Sequence, residues 1–352
     1  MMNILHSGDL HLDTPFRMRT PEQAEYLRQQ LLTVPQKLAD LCRQEQCQLM
    51  LLSGDLFDTT PTSESLNALR YALEDAAVPV FIAPGNHDPL LPDSPYLTSP
   101  WPSNVHIFTQ PRITAVTLEE LDCKIYGAGY RSMDCPGLLQ GFQAEGSERY
   151  HIGVLHGDPT NAASPCCPVT ADQIRQSGLD YLALGHIHKA GSVRYGETLC
   201  AWPGCPMGRG FDETGYKGAL ILSLGEETAV TPVQLSTPSF FDLELTASQL
   251  SQELSALGSK DIYRITLIGE DTSADLHTLY QQYAHFPFLE LRDHRKAMPD
   301  LWSLNHSDSL EGTFFRILKE NLDQADPREQ ELITLAARIS RQLLESEEVT
   351  LP

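Results

Sequence analysis

Five apolar runs in this chain each end in a short motif of metal-binding side chains, and this repetition constrains the fold more than any other feature. The motifs are G-D-L-H at 8–11, G-D-L-F-D at 54–58, G-N-H-D at 85–88, L-H-G-D at 155–158 and G-H-I-H at 185–188. The apolar runs before them have the length and composition of buried strands. Together the motifs predict one metal centre, because five such motifs in one chain are far more specific than any one alone.

The spacing within the motifs fits two neighbouring divalent ions. In an extended segment residues i and i+2 project to the same side, so Asp9 and His11 can approach one ion. By the same rule His186 and His188 can each reach one ion of an adjacent pair. Two such ions lie about 3.5–4 Å apart and need a shared anionic oxygen, which the carboxylate of Asp55 can supply. The order also matters, because D-x-H comes first and H-x-H last, the reverse of amidohydrolase-type barrels.

The motif set D-x-H, G-D-x-x-D, G-N-H-D, H-G and G-H-x-H resembles the calcineurin-like metallophosphoesterase superfamily. Three longer segments narrow the resemblance: I-L-H-S-G-D-L-H-L-D-T-P-F at 4–16, L-D-Y-L-A-L-G-H-I-H-K at 179–189 and W-P-G-C-P-M-G-R-G-F-D-E-T-G at 202–215. They are similar to the DNA-repair exonuclease branch, with its SbcD-type nuclease subunits, and most of all to a YhaO-like group. The resemblance extends over about residues 1–235. It implies an α/β fold of four layers, α-β-β-α.

The resemblance also implies a role for each motif residue. One ion is expected on Asp9, His11, Asp55 and His188, and a second on Asp55, Asn86, His156 and His186. His87 is expected to stay off the ions, to stabilise charge on the substrate phosphate and to protonate the leaving oxygen. Asp58 is expected to orient His87 and to favour its charged form. Manganese is the expected metal, with iron and zinc as alternatives that the mixed oxygen and nitrogen ligands also suit.

These residues predict a two-metal phosphodiesterase that acts on DNA ends, as an exonuclease or endonuclease subunit in DNA repair. A small-molecule phosphodiesterase or nucleotidase would use the same centre, and an adaptor subunit for a coiled-coil ATPase is a third interpretation. In protein phosphatases of the superfamily Arg-Gly follows the position of Asp58, whereas Thr59 and Thr60 follow here. The net charge of −22 stays strongly negative after two divalent ions cancel four charges. We therefore expect weak DNA binding by the chain alone, and an SbcC-like ATPase of the SMC type as partner.

Other polar residues lie close to the ligands in sequence. Arg209, Asp212 and Glu213 lie in a glycine-rich loop, where contact with a substrate strand and an ordinary ion-paired turn are both open interpretations. Three residues beside the ligands are expected to be structural or to support the ligands: His6, Asp13 and Asp158.

The chain is expected to divide into three parts. Residues 1–235 would form the metallophosphoesterase domain, residues 240–300 a small α+β cap with a β-α-β-α-β pattern, and residues 305–352 a pair of helices. The spacing of Asp308 with Glu311, and of Asp326 with Glu329, predicts capping boxes where the two helices begin. The apolar stripes of these helices would pack on each other or on the cap, or would receive the coiled-coil root of the ATPase.

The sequence also allows expectations about cellular location, thiol state and assembly. No apolar run reaches the ~18 residues of a membrane span, and no secretory signal is recognised, so a cytoplasmic protein with no membrane partner is expected. The eight cysteines form no C-x-x-C pair and are expected to be reduced thiols. A homodimer is one expected assembly.

Overall fold

The computed structural model describes residues 2–296 and 300–344, which divide into two compact units. The first unit contains the chain up to Leu243 together with Leu257–Arg264 and His285–Glu290. The second contains Glu244–Ala256, Ile265–Ala284 and the described residues from Leu291 onward. The three domains predicted from the sequence stay a proposal, and their parts at residues 1, 297–299 and 345–352 lie outside the described residues.

A six-stranded mixed sheet carries the first three motifs. Its strands in spatial order are β12 (Ala229–Gln234), β11 (Gly218–Leu224), β1 (Met2–Ser7), β2 (Leu49–Leu52), β3 (Val80–Ile82) and β4 (Val105–Ile107). Strands β1 to β4 are parallel, whereas β11 is antiparallel to β1 and β12 is antiparallel to β11. The carboxyl ends of β1, β2 and β3 therefore meet at one edge of this sheet.

A second six-stranded mixed sheet carries the last two motifs. Its strands in spatial order are β5 (Thr114–Leu118), β6 (Cys123–Gly127), β7 (Tyr150–His156), β8 (Tyr181–Gly185), β10 (Thr198–Trp202) and β9 (Gly191–Tyr195). The four central strands are parallel, and the two edge strands β5 and β9 are antiparallel to their neighbours. The carboxyl ends of β7 and β8 are therefore adjacent.

Alternating buried side chains show that the two sheets are stacked face to face. In β2, Leu49 and Leu51 belong to the same core cluster as Val154 of β7, which places this cluster between the sheets. Met50 and Leu52 point the other way and belong to a different cluster. Successive side chains of a strand point to opposite faces, so an entirely apolar strand is buried on both sides.

Helices cover the outer face of each sheet. The helices of the first unit are α1 (Pro21–Leu32), α2 (Val34–Gln44), α3 (Ser63–Asp75), α4 (Pro95–Thr98) and α5 (Ala171–Gln176). Leu27 of α1 and Leu69 of α3 lie in the core cluster outside the first sheet. Ile174 of α5 packs with Leu182 outside the second sheet. The predicted α/β fold with four layers, α-β-β-α, is confirmed.

Residues 21–44 form two helices, although no glycine separates them. Helix α1 ends at Leu32, and α2 begins at Val34 with a proline in its first turn. Pro35 has no N–H to continue the hydrogen bonding of α1, and its ring would clash with the preceding turn, so the chain starts a new helix there.

The pattern predicted after residue 240 is observed. It consists of β13 (Phe240–Thr246), α6 (Ala247–Ala256), β14 (Ile262–Ile268), α7 (Leu276–Gln282) and β15 (Leu289–Asp293), and the three strands form one sheet in that order. Two helices follow, α8 (Leu310–Leu322) and α9 (Pro327–Leu344). None of the helices within residues 2–296 and 300–344 has the length and hydrophobicity that a membrane crossing needs.

One of the two predicted helix caps is wrong. Helix α8 is capped by Ser309, whose Oγ accepts the N–H of Gly312 at 3.0 Å, and not by Asp308. The first turn begins one residue later than predicted, which puts the hydroxyl of Ser309 three residues before a free N–H. The box at α9 is observed, because Asp326 accepts the N–H of Glu329 at 2.9 Å.

Candidate metal centre

All five motifs lie at the carboxyl ends of parallel strands, where α/β folds place their ligands. Asp9 and His11 follow β1, Asp55 follows β2, Asn86 and His87 follow β3, His156 ends β7, and His186 and His188 follow β8. Main-chain hydrogen bonds join the first two motifs, since the N–H of Asp9 donates to Gly54 O at 2.9 Å. The N–H of His186 donates to both carboxylate oxygens of Asp9 at 3.0 Å, which joins motifs from the two sheets.

Four predicted ligands have a left-handed backbone, with φ of 49° at Asp9, 47° at His11, 49° at Asp55 and 93° at His186. For residues other than glycine such conformations cost on the order of 1–3 kcal/mol each, and they cluster at functional sites. The sequence argument assumed that Asp9 and His11 lie in an extended segment. The structure differs: the two side chains approach each other because the chain turns sharply after β1.

Glycine is needed in the motifs because backbones and ligands approach closely. A Cβ on Gly85 would lie 2.2 Å from Asp55 Oδ1, and a Cβ on Gly185 would lie 2.1 Å from Ser53 O. Both distances are far below van der Waals contact. Any larger residue at these positions would force apart the strand ends that carry the ligands.

Asp9, His11 and His188 form the first group of potential ligands, with one ligand atom from each within 4.8 Å of the others. His11 Nε2 is 3.2 Å from His188 Nε2, and His188 Nε2 is 3.6 Å from Asp9 Oδ1. Asp55 Oδ2 lies 3.8 Å from His11 Nε2. Asp9 and His11 are completely buried, whereas 26% of the His188 side chain is exposed, so the group opens to solvent on the His188 side.

Asp55 also faces a second group. Its Oδ2 is 3.3 Å from His156 Nε2, and His156 Nε2 is 2.9 Å from Asn86 Oδ1. The ring of His186 lies beside that of His156, with centroids 5.2 Å apart. The carboxylate of Asp55 thus lies between His11 and His156, which is the position expected for a ligand shared by two ions.

Burial controls the protonation of these groups. It raises the pKa of Asp9 to about 6, against the opposing effect of His156. Burial alone would lower the pKa of His156, but the carboxylate of Asp55 outweighs it and raises this pKa to about 10. Burial lowers the pKa of His11 and that of His186 to about 4. Neutral imidazole is the form that binds metal, and a cation in this pocket would compete with the proton on His156.

The donor set fits divalent metal ions. His11 Nδ1 is 3.0 Å from Asp58 Oδ1, and His188 Nδ1 is 2.7 Å from Glu213 Oε1 and 2.9 Å from Arg209 Nη2. With the ring proton on Nδ1, each ring can donate to a carboxylate. The two Nε2 lone pairs then face each other at 3.2 Å, which is repulsive unless a cation lies against them. Oxygen and imidazole donors of this kind suit manganese, iron and zinc.

His87 lies at the exposed side of the centre, with 38% of its side chain accessible. Its Nδ1 is 3.5 Å from Asp58 Oδ1, and its main-chain N–H donates to Asp55 Oδ1 at 2.9 Å. Asp58 is closer to His11, at 3.0 Å, and is also 3.3 Å from Arg209 Nη1. Asp58 therefore orients His11 first and contacts His87 second, a division of roles that the sequence did not predict.

Glu213 is a residue of the centre that the sequence left unassigned. It is 7% exposed and accepts from His188 Nδ1 and from Arg209 Nη2, both at 2.7 Å. Arg209 is thus ion-paired, as expected if this loop is an ordinary ion-paired turn, which was one of the two open interpretations. The acidic loop after the last motif was a signal, but the sequence could not show that Glu213 turns inward while Asp212 stays exposed.

Asp88, the last residue of the G-N-H-D motif, braces two of the loops that carry ligands. Its carboxylate accepts the N–H of Leu56 at 2.7 Å, the N–H of Gly85 at 2.8 Å and the hydroxyl of Tyr96 at 2.5 Å. The side chain is buried, so these donors replace water. Asp88 thereby ties the loop of Asp55 to the loop that follows β3.

The residues expected to be structural make structural contacts. His6 is completely buried and lies 2.8 Å from the hydroxyl of Tyr181. Asp13 accepts the N–H of Thr62 at 3.2 Å, at the start of α3. Asp158 accepts the main-chain N–H two residues later at 2.8 Å. All eight cysteines, which lie within the described residues, are free.

The chain is similar to several known proteins. Residues 2–190 match the family model of calcineurin-like phosphoesterases. The chain is 28% identical over 375 residues to the uncharacterised metallophosphoesterase YhaO of Bacillus subtilis (strain 168), covering 92% of this chain and 88% of that protein. It is 25% identical over 351 residues to the D subunit of the nuclease SbcCD from the same organism, covering 85% and 84%. A dimetal phosphatase from Danio rerio is a structural match with 14% identity and a TM-score of 0.46, covering 65% of this chain and 95% of that chain.

The predicted superfamily is confirmed by the family match, which covers all five motifs. Phosphoesterases of this family use divalent metal ions, and the clustered carboxylates and imidazoles provide the donors for them. The chain therefore belongs to the calcineurin-like phosphoesterase family and is a metal-dependent phosphoesterase.

Proposed function

We propose that this phosphoesterase is a two-metal phosphodiesterase that cleaves DNA at strand ends, as an exonuclease or endonuclease subunit in DNA repair. The observation that carries the proposal is the carboxylate of Asp55 between two groups of ligands, with the exposed His87 beside them. A shared carboxylate favours a pair of ions, which suits in-line displacement at phosphorus. The similarity to the D subunit of the nuclease SbcCD supports a nuclease activity and the SbcD-type branch.

We propose the assignment of ligands that the family resemblance implies. One ion would be held by Asp9, His11, Asp55 and His188, and the second by Asp55, Asn86, His156 and His186. When bound, such ions polarise the phosphoryl oxygens and lower the pKa of the attacking water. Asp58 and Glu213 keep the Nδ1 protons in place, so that the Nε2 atoms of His11 and His188 stay directed at the metal position. Manganese is the metal we propose.

His87 is proposed as the residue that protonates the leaving oxygen. Its ring lies on the solvent side of the ligand groups, where a phosphate would enter, and its main chain is fixed by Asp55. The carboxylate of Asp58 lies 3.5 Å from Nδ1 of this ring, and an imidazolium is the form that can donate a proton and stabilise a negative phosphate.

The loop after Asp58 supports a phosphodiester substrate. Thr59 and Thr60 are both exposed there, at the place where protein phosphatases of the superfamily have Arg-Gly. A neutral loop at this position has no cation to grip the dianion of a phosphomonoester. A monoanionic diester needs less charge compensation, and this favours a nuclease over a phosphatase.

We also propose a coiled-coil ATPase partner that docks on α8 and α9. Leu310 is 84% exposed, Phe314 42% and Leu343 63%. These side chains, with Leu344, line an apolar cavity of about 450 Å³. Contiguous exposed apolar residues on helices are the usual receptor for an amphipathic partner helix. The net charge of −22 adds a second reason, because a partner would have to supply most of the affinity for DNA.

The proposed activity is tested by substrate choice. Metal-depleted protein is supplied with manganese, iron or zinc singly and assayed on bis-p-nitrophenyl phosphate, single-stranded DNA, blunt duplex DNA and mononucleotides. We expect turnover of the small diester and of DNA ends, highest with manganese. Turnover of mononucleotides alone would favour the nucleotidase, and no turnover with any metal would favour an adaptor role.

The partner is tested separately by deleting residues 305–352. The truncated protein should hydrolyse bis-p-nitrophenyl phosphate normally but lose association with a coiled-coil ATPase. A milder variant, Leu310→Glu with Leu343→Glu, should lose association without a change in thermal stability, and Glu320→Gln on the exposed side of α8 is the control. Retained association in the truncated protein contradicts the proposal, and so does its unfolding, because the apolar stripes would then belong to the protein's own core.

A further inference from the structure

A groove beside the metal centre is lined by arginines, although the chain carries a net charge of −22. It consists of two adjoining cavities of about 370 and 690 Å³, both within the first unit. Five residues line both cavities: Arg17, Arg209, Gly210, Phe211 and Arg264. We call the two cavities together the arginine groove. Their volumes lie in the range of about 300–1,000 Å³ that is usual for sites of small ligands.

The arginine groove reaches the metal ligands through two of its lining residues. Arg209 donates to Glu213, which in turn holds the ring of His188 at 2.7 Å. Thr14, on the other wall, donates its hydroxyl to the main-chain oxygen of His11 at 2.8 Å. A ligand in the groove is therefore separated from two predicted metal ligands by single side chains.

The charges that line the groove are not equivalent. Arg264 contacts Glu290 at 3.3 Å and Asp242 at 3.5 Å, and Arg209 is likewise ion-paired. Asp212 adds an exposed carboxylate to the lining. Arg17 is different, because its side chain is exposed and makes no hydrogen bond or ion pair with any part of the chain that the structure describes. An unpaired arginine at the edge of a concave site is available to bind an anion.

The rest of the wall is apolar and aromatic. The guanidinium of Arg264 lies 3.7 Å from the centroid of the Phe211 ring, and Met18 and Phe288 line the same cavity. Arginine together with aromatic surface is the combination that binds single-stranded nucleic acid, with cations on the phosphates and apolar surface against the bases. A site for inorganic phosphate alone would not need the apolar part.

We propose that the arginine groove holds one nucleotide of the DNA strand next to the scissile phosphate, with Arg17 on its phosphate and the base against Met18, Phe211 and Phe288. This proposal rests on the proposed function, since DNA is the substrate there. It makes Arg17 a residue that selects polymeric substrates and takes no part in bond cleavage.

The test uses Arg17→Ala in the full chain, with Arg149→Ala as matched control. Arg149 is also an exposed arginine, but it precedes β7 and so lies at the strand end opposite to His156. Binding of a fluorescent single-stranded oligonucleotide is measured by anisotropy over a range of salt concentrations. Arg17→Ala should weaken binding roughly tenfold, the value of one hydrogen bond to a charged group. The slope of log K against log salt should become shallower by about 0.7, the contribution of one phosphate contact on single-stranded DNA.

The outcomes separate this proposal from the proposed function. Turnover of bis-p-nitrophenyl phosphate, which leaves the groove empty, should be unchanged in both variants. The groove assignment is overturned if Arg17→Ala binds the oligonucleotide as tightly as Arg149→Ala, if the wild-type protein does not bind it, or if inorganic phosphate competes as well as a nucleotide. Failure of the wild-type protein to cleave DNA while it cleaves the small diester overturns the proposed function and leaves the binding comparison to decide the groove.

Discussion

Replacement of Glu213 by glutamine tests how the centre is built. The Glu213 carboxylate accepts from His188 Nδ1 at 2.7 Å and so directs His188 Nε2 towards Asp9 and His11. Glu213→Gln keeps the size of the side chain and removes its charge. We expect metal affinity and turnover of a small diester to fall together by roughly 10- to 100-fold, the usual cost of losing a carboxylate behind a metal-binding histidine.

The expected loss of metal affinity and turnover can also be calculated from the contacts of Glu213. Burial would raise the pKa of Glu213, but His188 and Arg209 hold it well below its usual range, so the group is anionic at neutral pH. Glutamine weakens the charged contacts with both His188 and Arg209, and the one that orients His188 is worth about 1.5–3 kcal/mol in this mostly buried place. Since about 1.4 kcal/mol corresponds to a factor of ten, this is again roughly one to two orders of magnitude.

Metal affinity is measured by competition with a chromogenic chelator, turnover with bis-p-nitrophenyl phosphate, and stability by urea unfolding. Glu227→Gln, an exposed glutamate in the turn after β11, is the control. Wild-type metal affinity and turnover in Glu213→Gln would refute the role given to this carboxylate. A loss of stability with unchanged metal affinity would show that Glu213 only fixes the loop.

Three further predictions concern other residues. Asp55→Asn should lose both ions and hydrolysis together, as metal analysis and turnover will show; two tightly held ions with near-normal turnover would contradict the shared-ligand assignment. His87→Ala should reduce turnover by about 10²–10⁴-fold with metal content unchanged, and loss of metal would make His87 a ligand. Burial lowers the pKa of His6 from 6.5 to about 3, so the unfolded chain takes up this proton first as the pH falls, and stability present above pH 6.5 is lost towards pH 3. Between pH 7 and pH 5 we expect about 2 kcal/mol from this residue, and His6→Gln should remove that part of the pH dependence in urea unfolding of metal-free protein.

The fold and the types of ligand residue could be predicted because they depend on local chemistry, whereas the division of the ligands between two ions came only from the family resemblance. A strand such as β2, apolar at every position, has to be buried on both faces, which already indicates stacked sheets with helices outside. The ligand types were readable because Asp55 and His156 belong to residue types that bind metal. Contacts between residues of the two sheets could not be predicted from local sequence. The approach of His156 to Asp55, for example, depends on the packing of two strands about 100 residues apart in sequence.

Local conformations that oppose the usual preferences were also beyond the sequence. The left-handed backbone at Asp9 and His11 is unfavourable for the isolated segment, so a sequence pattern predicts extended chain there. The inward turn of Glu213 likewise depends on Arg209 and His188, which come from different loops. In each case tertiary contacts decide a conformation that local propensity does not favour.

Two of the acids that follow the ligands hold the main chain close to this strained backbone. In or just after four of the motifs, an aspartate comes two or three residues after a ligand: Asp13, Asp58, Asp88 and Asp158. A chain that turns sharply at a strand end leaves main-chain N–H groups without partners, and a short carboxylate satisfies them. Asp88 and Asp158 accept such N–H groups from their own loops, and Asp13 accepts one at the start of α3. Asp58 instead accepts from the ring of His11. At about 1–3 kcal/mol each, four left-handed ligands would cost an amount comparable with the 5–15 kcal/mol stability of a whole protein. Asp88 is therefore expected to stabilise the left-handed backbone at Asp55, because it accepts the N–H groups of Leu56 and Gly85 beside that ligand.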